Sequence, residues 1–146
     1  MAANPLVSIE AYEALIYGLP DAFPCIQMST LVVASIGPVT AVVRGEVHFG
    51  QRLYLRVIEV VSFRQRRIER YGYEMWRGDT ELWWYDSWPH PDLPDLRSTD
   101  PHHKHIPPDI KHHRVPAPGL SFTAPNLPLL IQEVKRTYLV HNKTTG

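Results

Sequence analysis

Proline placement constrains this 146-residue chain more than any other feature, because ten of its fourteen prolines fall between Pro89 and Pro128. Proline gives no N–H to a β-ladder and breaks a helix interior. No long strand can therefore cross Pro89–Pro118 intact. Only short extended pieces fit there, around His102–His105 and Lys111–Val115. A chain of this length buries one good core, so a single domain over 1–146 is expected. Within it the predicted zones are an N-terminal helix over 1–20, an antiparallel meander over 28–86, a Pro/His-rich segment over 87–124 and a C-terminal helix over 125–140.

Local patterns support that division. Asn4 suits an N-cap and Pro5 a first helical position, while Gly18 and Pro20 stop the helix. Between Thr40 and Phe49 the residues alternate, with Ala41, Val43, Val47 and Phe49 on one face and Thr40, Arg44, Glu46 and His48 on the other. Leu53–Phe63 is apolar enough to predict a central strand covered on both faces. Ile68–Trp76 and Glu81–Tyr85 follow around a Gly78-Asp79 turn. Asn126 is placed to cap the last helix, whose Leu127, Leu130, Ile131, Val134 and Tyr138 share one stripe. The predicted fold is α+β, an antiparallel sheet of about five strands packed against the N- and C-terminal helices.

Charge is balanced, fifteen basic residues against fifteen acidic, which argues against bulk electrostatic coating of nucleic acid or membrane. The balance hides a local asymmetry. Residues 1–43 carry no Lys or Arg, and residues 44–77 carry eight arginines against four glutamates. Cys25 is the only cysteine, which excludes an internal disulfide and a Cys-rich zinc site. With no signal-peptide pattern and no apolar run of membrane-spanning length, a cytoplasmic protein without membrane contact is expected.

Six of the eight histidines lie in the proline-rich segment, at positions 90, 102, 103, 105, 112 and 113. On an extended backbone, side chains at i and i+2 face the same way. That pairs His103 with His105 and puts His102 and Lys104 on the opposite side. Histidine titrates near neutral pH, so two can supply one base and one acid. A nearby Lys104, His102 or Arg70 can stabilise charge on a phosphate. RNA cleavage through its own 2′-hydroxyl needs only those parts. The same residues leave two other chemistries open. One is a divalent metal such as zinc at the histidine cluster, although no H-E-x-x-H spacing is present. The other is binding of RNA or protein without catalysis.

Tyr85-Asp86, His90-Pro-Asp-Leu-Pro and Pro101-His-His-Lys-His, followed by an amphipathic helix, resemble the TumE family of toxins from bacterial and archaeal toxin–antitoxin systems. Pro107-Pro-Asp-Ile-Lys-His-His-Arg-Val and Asn126-Leu-Pro-Leu-Leu-Ile-Gln-Glu-Val resemble one branch of it. The resemblance covers about Val39 to Val134. It implies the toxin of a type II pair, neutralised by a cognate antitoxin. Most small toxins of such pairs cut RNA, which makes a metal-independent endoribonuclease the expected activity and RNA the expected substrate. A homodimer is left open.

Side-chain chemistry then assigns candidate roles. His103 and His105 form the acid–base pair, Lys104 and His102 stand beside the phosphate, and Asp86 orients a histidine. His90, Arg70, Arg67, Trp88 and Tyr85 are candidate substrate contacts, since arginine grips phosphate at two points and aromatic rings stack on unpaired bases. Trp76, Trp83, Trp84 and Trp88 are more simply explained as packing between sheet and helix, with Trp84 or Trp88 as the more exposed member.

Overall fold

The structure is a computed structural model that describes residues 4–87, 103–106, 114–116 and 119–139. His90, Trp88 and His102 lie outside the described residues, as does the side chain of His103.

The N-terminal zone forms three short helical pieces and not one helix. Asn4 caps a 3-10 turn, Pro5–Val7, by accepting from the Leu6 N–H at 3.0 Å. Four residues later Ser8 caps α1, Ile9–Tyr17, accepting from the Ala11 N–H at 3.1 Å. Two strong caps so close together start two helices. Gly18 ends α1, and Pro20 sits in the first turn of α2, Leu19–Ala22.

Among the described residues eight strands follow in one antiparallel sheet: β1 Met28–Ser29, β2 Val32–Ser35, β3 Thr40–Gly50, β4 Leu53–Ser62, β5 Arg67–Arg77, β6 Thr80–Asp86, β7 His103–His105 and β8 Arg114–Pro116. β1 and β2 both pair with β3, so the sheet is seven positions wide, not about five. β1 and β2 are separated at Thr30, whose backbone presses on Gly45. A Cβ there would lie 2.5 Å from the Thr30 carbonyl oxygen, and Gly45 takes φ +139°. The other additions are β7 and β8, which extend the sheet beyond β6.

One face of the sheet is covered. Leu53, Leu55, Val57, Glu59 and Val61 of β4 are buried beneath it, as are Ala41, Val43, Val47 and Phe49 of β3. α1 contributes Tyr12 and Ile16. α3, Leu127–Val134, contributes Leu127, Leu130, Ile131 and Val134, all fully buried. Each such aliphatic side chain contributes about 1.5–3 kcal/mol. The expectation that β4 is covered on both faces fails: Arg56 is exposed and Ile58 is 44% exposed. The described helices account for burial on one side only, and the apolar residues at alternate positions floor an open face.

A buried carboxyl ties the layers together. Glu59 accepts from the Tyr12 hydroxyl at 2.5 Å and from the Tyr73 hydroxyl. Asn126 donates to the Tyr73 oxygen at 3.2 Å. Asn126 therefore does not cap α3 with its side chain. Its Oδ1 accepts from the Ser121 N–H instead, and its Nδ2 also reaches the Ser121 carbonyl. Burial raises the Glu59 pKa, and the two phenol hydrogen bonds partly oppose that rise.

Candidate active site

Strand register arranges the open face into rows. Glu46, Arg56, Glu74, Trp84 and His105 are successive cross-strand partners from β3 to β7. The adjacent row is Arg44, Ile58, Gly72, Asp86 and His103. On its other side Val42, Val60 and Arg70 are partners. Gly72 thus leaves a gap in the middle of the face, bordered by Ile58 and Asp86. Three depressions of about 440, 180 and 390 Å³ all reach Gly72 and Ile58. Together they make a trough from Arg44 and Arg56, past Arg70 and Ser87, to Trp84 and Asp86. Its larger parts are the size of small-molecule sites.

Asp86 stands at the β7 side of the trough. Its Oδ2 accepts from the Trp84 indole N–H at 3.2 Å and lies 2.9 Å from His105 Nε2. The His105 ring is stacked on Trp84 with centroids 4.1 Å apart and planes 22° apart. Pairing of β6 with β7 makes this contact, since Trp84 faces His105 and Asp86 faces His103 in register. The exposures differ: the Asp86 side chain is 14% exposed and His105 is 2%. Asp86 lines the trough, and His105 stands behind it. A carboxylate on Nε2 fixes the ring orientation.

Lys104 lies on the opposite face from His105. Its Nζ is 3.3 Å from Glu133 Oε1 and sits 4.6 Å from the Trp83 ring centre and 5.1 Å from that of Tyr85. Tyr85 donates to the same Glu133 carboxylate at 2.7 Å; its pKa is raised by burial first and by Glu133 second. This cluster clamps β6 and β7 against α3.

A family model described as Toxin TumE matches residues 21–138, most of the chain. The chain belongs to the TumE toxin family. The family match spans the sheet, both short strands β7 and β8, and α3. Membership makes the protein a toxin of a toxin–antitoxin system, with a cognate antitoxin as partner. No curated protein and no solved structure matches the chain. Among the described residues no helix is long and apolar enough to cross a membrane.

Of the residues singled out in the sequence, the fold brings Asp86, His105 and Arg70 to the open face, and the backbone of His103 pairs with Asp86. Lys104 and Tyr85 face α3. Arg67 turns towards Phe122, with its guanidinium 5.1 Å from that ring centre. Trp83 packs under α3 and donates to the Tyr138 hydroxyl at 2.9 Å, in keeping with a packing role. Trp76 and Trp84 are on the open face. Among the described residues no three metal-ligating side chains come together. Gly72 and Glu59 went unmarked in the sequence, Arg44 was placed only on a polar strand face, and Trp76 only among aromatics assigned to packing. Gly72 interrupting an apolar–aromatic strand was the one available signal, since an isolated strand glycine often marks close approach to its backbone.

Proposed function

We propose that this toxin is an endoribonuclease of a type II pair and that its RNA lies in the trough over Gly72. The observation that carries the proposal is the Asp86–His105 pair at the edge of the trough, with Arg70 further along its rim. Asp86 and His105 act as one acid–base unit, with Asp86 towards the substrate and His105 holding or releasing the proton behind it. His103, in β7, and His102, which precedes it in the sequence, are the candidates for the second proton-transfer group. Arg70 faces the phosphate. One group takes the proton from the 2′-hydroxyl, whose oxygen attacks phosphorus. The bond to the 5′-oxygen breaks, and the other group protonates that oxygen. The products are a 2′,3′-cyclic phosphate and a 5′-hydroxyl, and no metal is required.

A second reading draws support from the burial of His105. A ring 2% exposed and stacked on Trp84 also suits a purely structural role, in a toxin that binds RNA or protein without cutting it. Incubating the pure protein with single-stranded RNA and mapping new ends separates the two. Cleavage that persists in chelator and stops when the 2′-hydroxyl is replaced by hydrogen is the expected result. Cleavage lost in chelator would assign a metal-dependent nuclease. Tight binding with no new ends would favour the non-enzymatic reading.

A further inference from the structure

The open face carries two aromatic stacks with a space between them. In the first, His48 and Tyr54 stack at 5.3 Å and 22°, and Tyr54 and Trp76 at 6.3 Å and 5°. In the second, Trp84 stacks on His105. Trp76, on β5, and Trp84, on β6, line the same depression of about 390 Å³, with Glu74, Glu81, Gly72 and Asp86. A β-bulge between Met75 and Trp76 pairs Trp76 with Glu81.

The indole N–H groups are already used. Trp76 Nε1 donates to Glu74 at 2.9 Å, and Trp84 Nε1 donates to Asp86 at 3.2 Å. These bonds fix both rings by their polar edges. The carboxylates that hold them are partly balanced as well. Glu46 meets His48 and Arg56, Glu74 meets Arg56, and Asp86 meets His105. Among the described residues no carboxylate lies within ion-pair distance of the exposed Arg44 or Arg70. The space thus has aromatic walls and uncompensated guanidinium groups on its approaches, a pattern that fits a flat base joined to a phosphate.

We propose that the space between Trp76 and Trp84 is a slot for one unpaired nucleobase of single-stranded RNA. Its flanking phosphates lie towards Arg44 and Arg70. A paired base is excluded, because a duplex has its bases stacked inside and cannot offer one to two indole walls. The inference rests on the RNA reading above and adds where the strand is gripped and why it must be single. Trp76 is four residues from Gly72 along β5, about 13 Å on an extended strand. It therefore acts on a nucleotide near the reacting bond and not on the bond itself.

The test is binding of a labelled single-stranded RNA oligonucleotide and of the same sequence as a duplex, to the full chain and to Trp76→Leu and Trp76→Phe. Leucine removes the ring and keeps the apolar contact, and phenylalanine keeps a smaller stacking face. The expected result is single-strand binding weakened on the order of ten- to a hundredfold in Trp76→Leu. Phe should restore part of it, and the parent should bind duplex at least about tenfold more weakly than single strand. Parent-like binding by a folded Trp76→Leu variant overturns the slot, whether or not the protein cleaves RNA. Cleavage by that variant with unchanged KM overturns the slot and leaves the ribonuclease reading standing. Binding lost in Trp76→Leu, with no cleavage by the parent, upholds the slot and removes the ribonuclease reading. If single-stranded RNA does not bind the parent, and Trp76→Leu instead abolishes neutralisation by the antitoxin, the face docks protein and the slot is wrong.

Discussion

Asp86→Asn separates the chemistry of the open face from its packing. In the parent, one carboxylate oxygen serves both the Trp84 indole at 3.2 Å and His105 Nε2 at 2.9 Å. Hydrogen bonds to a charged partner contribute about 1.5–3 kcal/mol, and neutral ones about half as much. Asparagine keeps an acceptor oxygen in the same place, so the expected destabilisation is about 1–2 kcal/mol. Alanine leaves the indole N–H and the buried imidazole without that partner, at about 1–3 kcal/mol each, so about 2–6 kcal/mol is expected. Urea unfolding reads both values, and a melting shift of about 2–4 °C per kcal/mol is the quicker check. Activity should order differently. Asn removes the charge that makes the pair an acid–base unit, so cleavage falls by about 10²–10⁴ in a protein that still folds. An Asp86→Asn variant that is folded and cuts RNA like the parent would refute the catalytic role. An Asp86→Ala variant within about 0.5 kcal/mol of the parent would refute the contact itself, since surface changes of no consequence fall in that range.

Two further outcomes follow from the covered side of the sheet. Lys104→Met keeps the apolar stem but loses the Glu133 contact and both ring contacts, so stability should drop by about 1–2 kcal/mol while cleavage per folded molecule stays near the parent's; unchanged stability with lost cleavage would put Lys104 at the chemistry after all. Burial raises the Glu59 pKa above its ordinary 4.5, so folding favours its protonated form, and the contribution is complete below about pH 4.5 and lost as pH rises through the folded value. The parent should therefore lose stability relative to Glu59→Gln over that rise, and a flat difference between their denaturation curves would show that Glu59 is not held as described.

Sequence alone determined the parts of this fold that depend on neighbours in the chain. Alternation laid out β3, and the apolar stripe of α3 marked its buried face. It also marked Asp86 and the His-Lys-His run, because the types and spacing of those side chains carry their chemistry wherever they lie. Tertiary structure decided the rest. β7 joined the edge of β6, which set His105 beside Asp86 across 19 residues of chain and turned Lys104 to the other face. The face of the sheet that the described helices cover, the gap at Gly72 and the placing of Trp76 and Trp84 around one depression all come from cross-strand register. Register depends on which strands meet, and a residue's own neighbours in sequence do not specify it. The same holds for Glu59: an acid in an apolar strand reads as an exception until Tyr12 and Tyr73 converge on it, with Asn126 behind Tyr73.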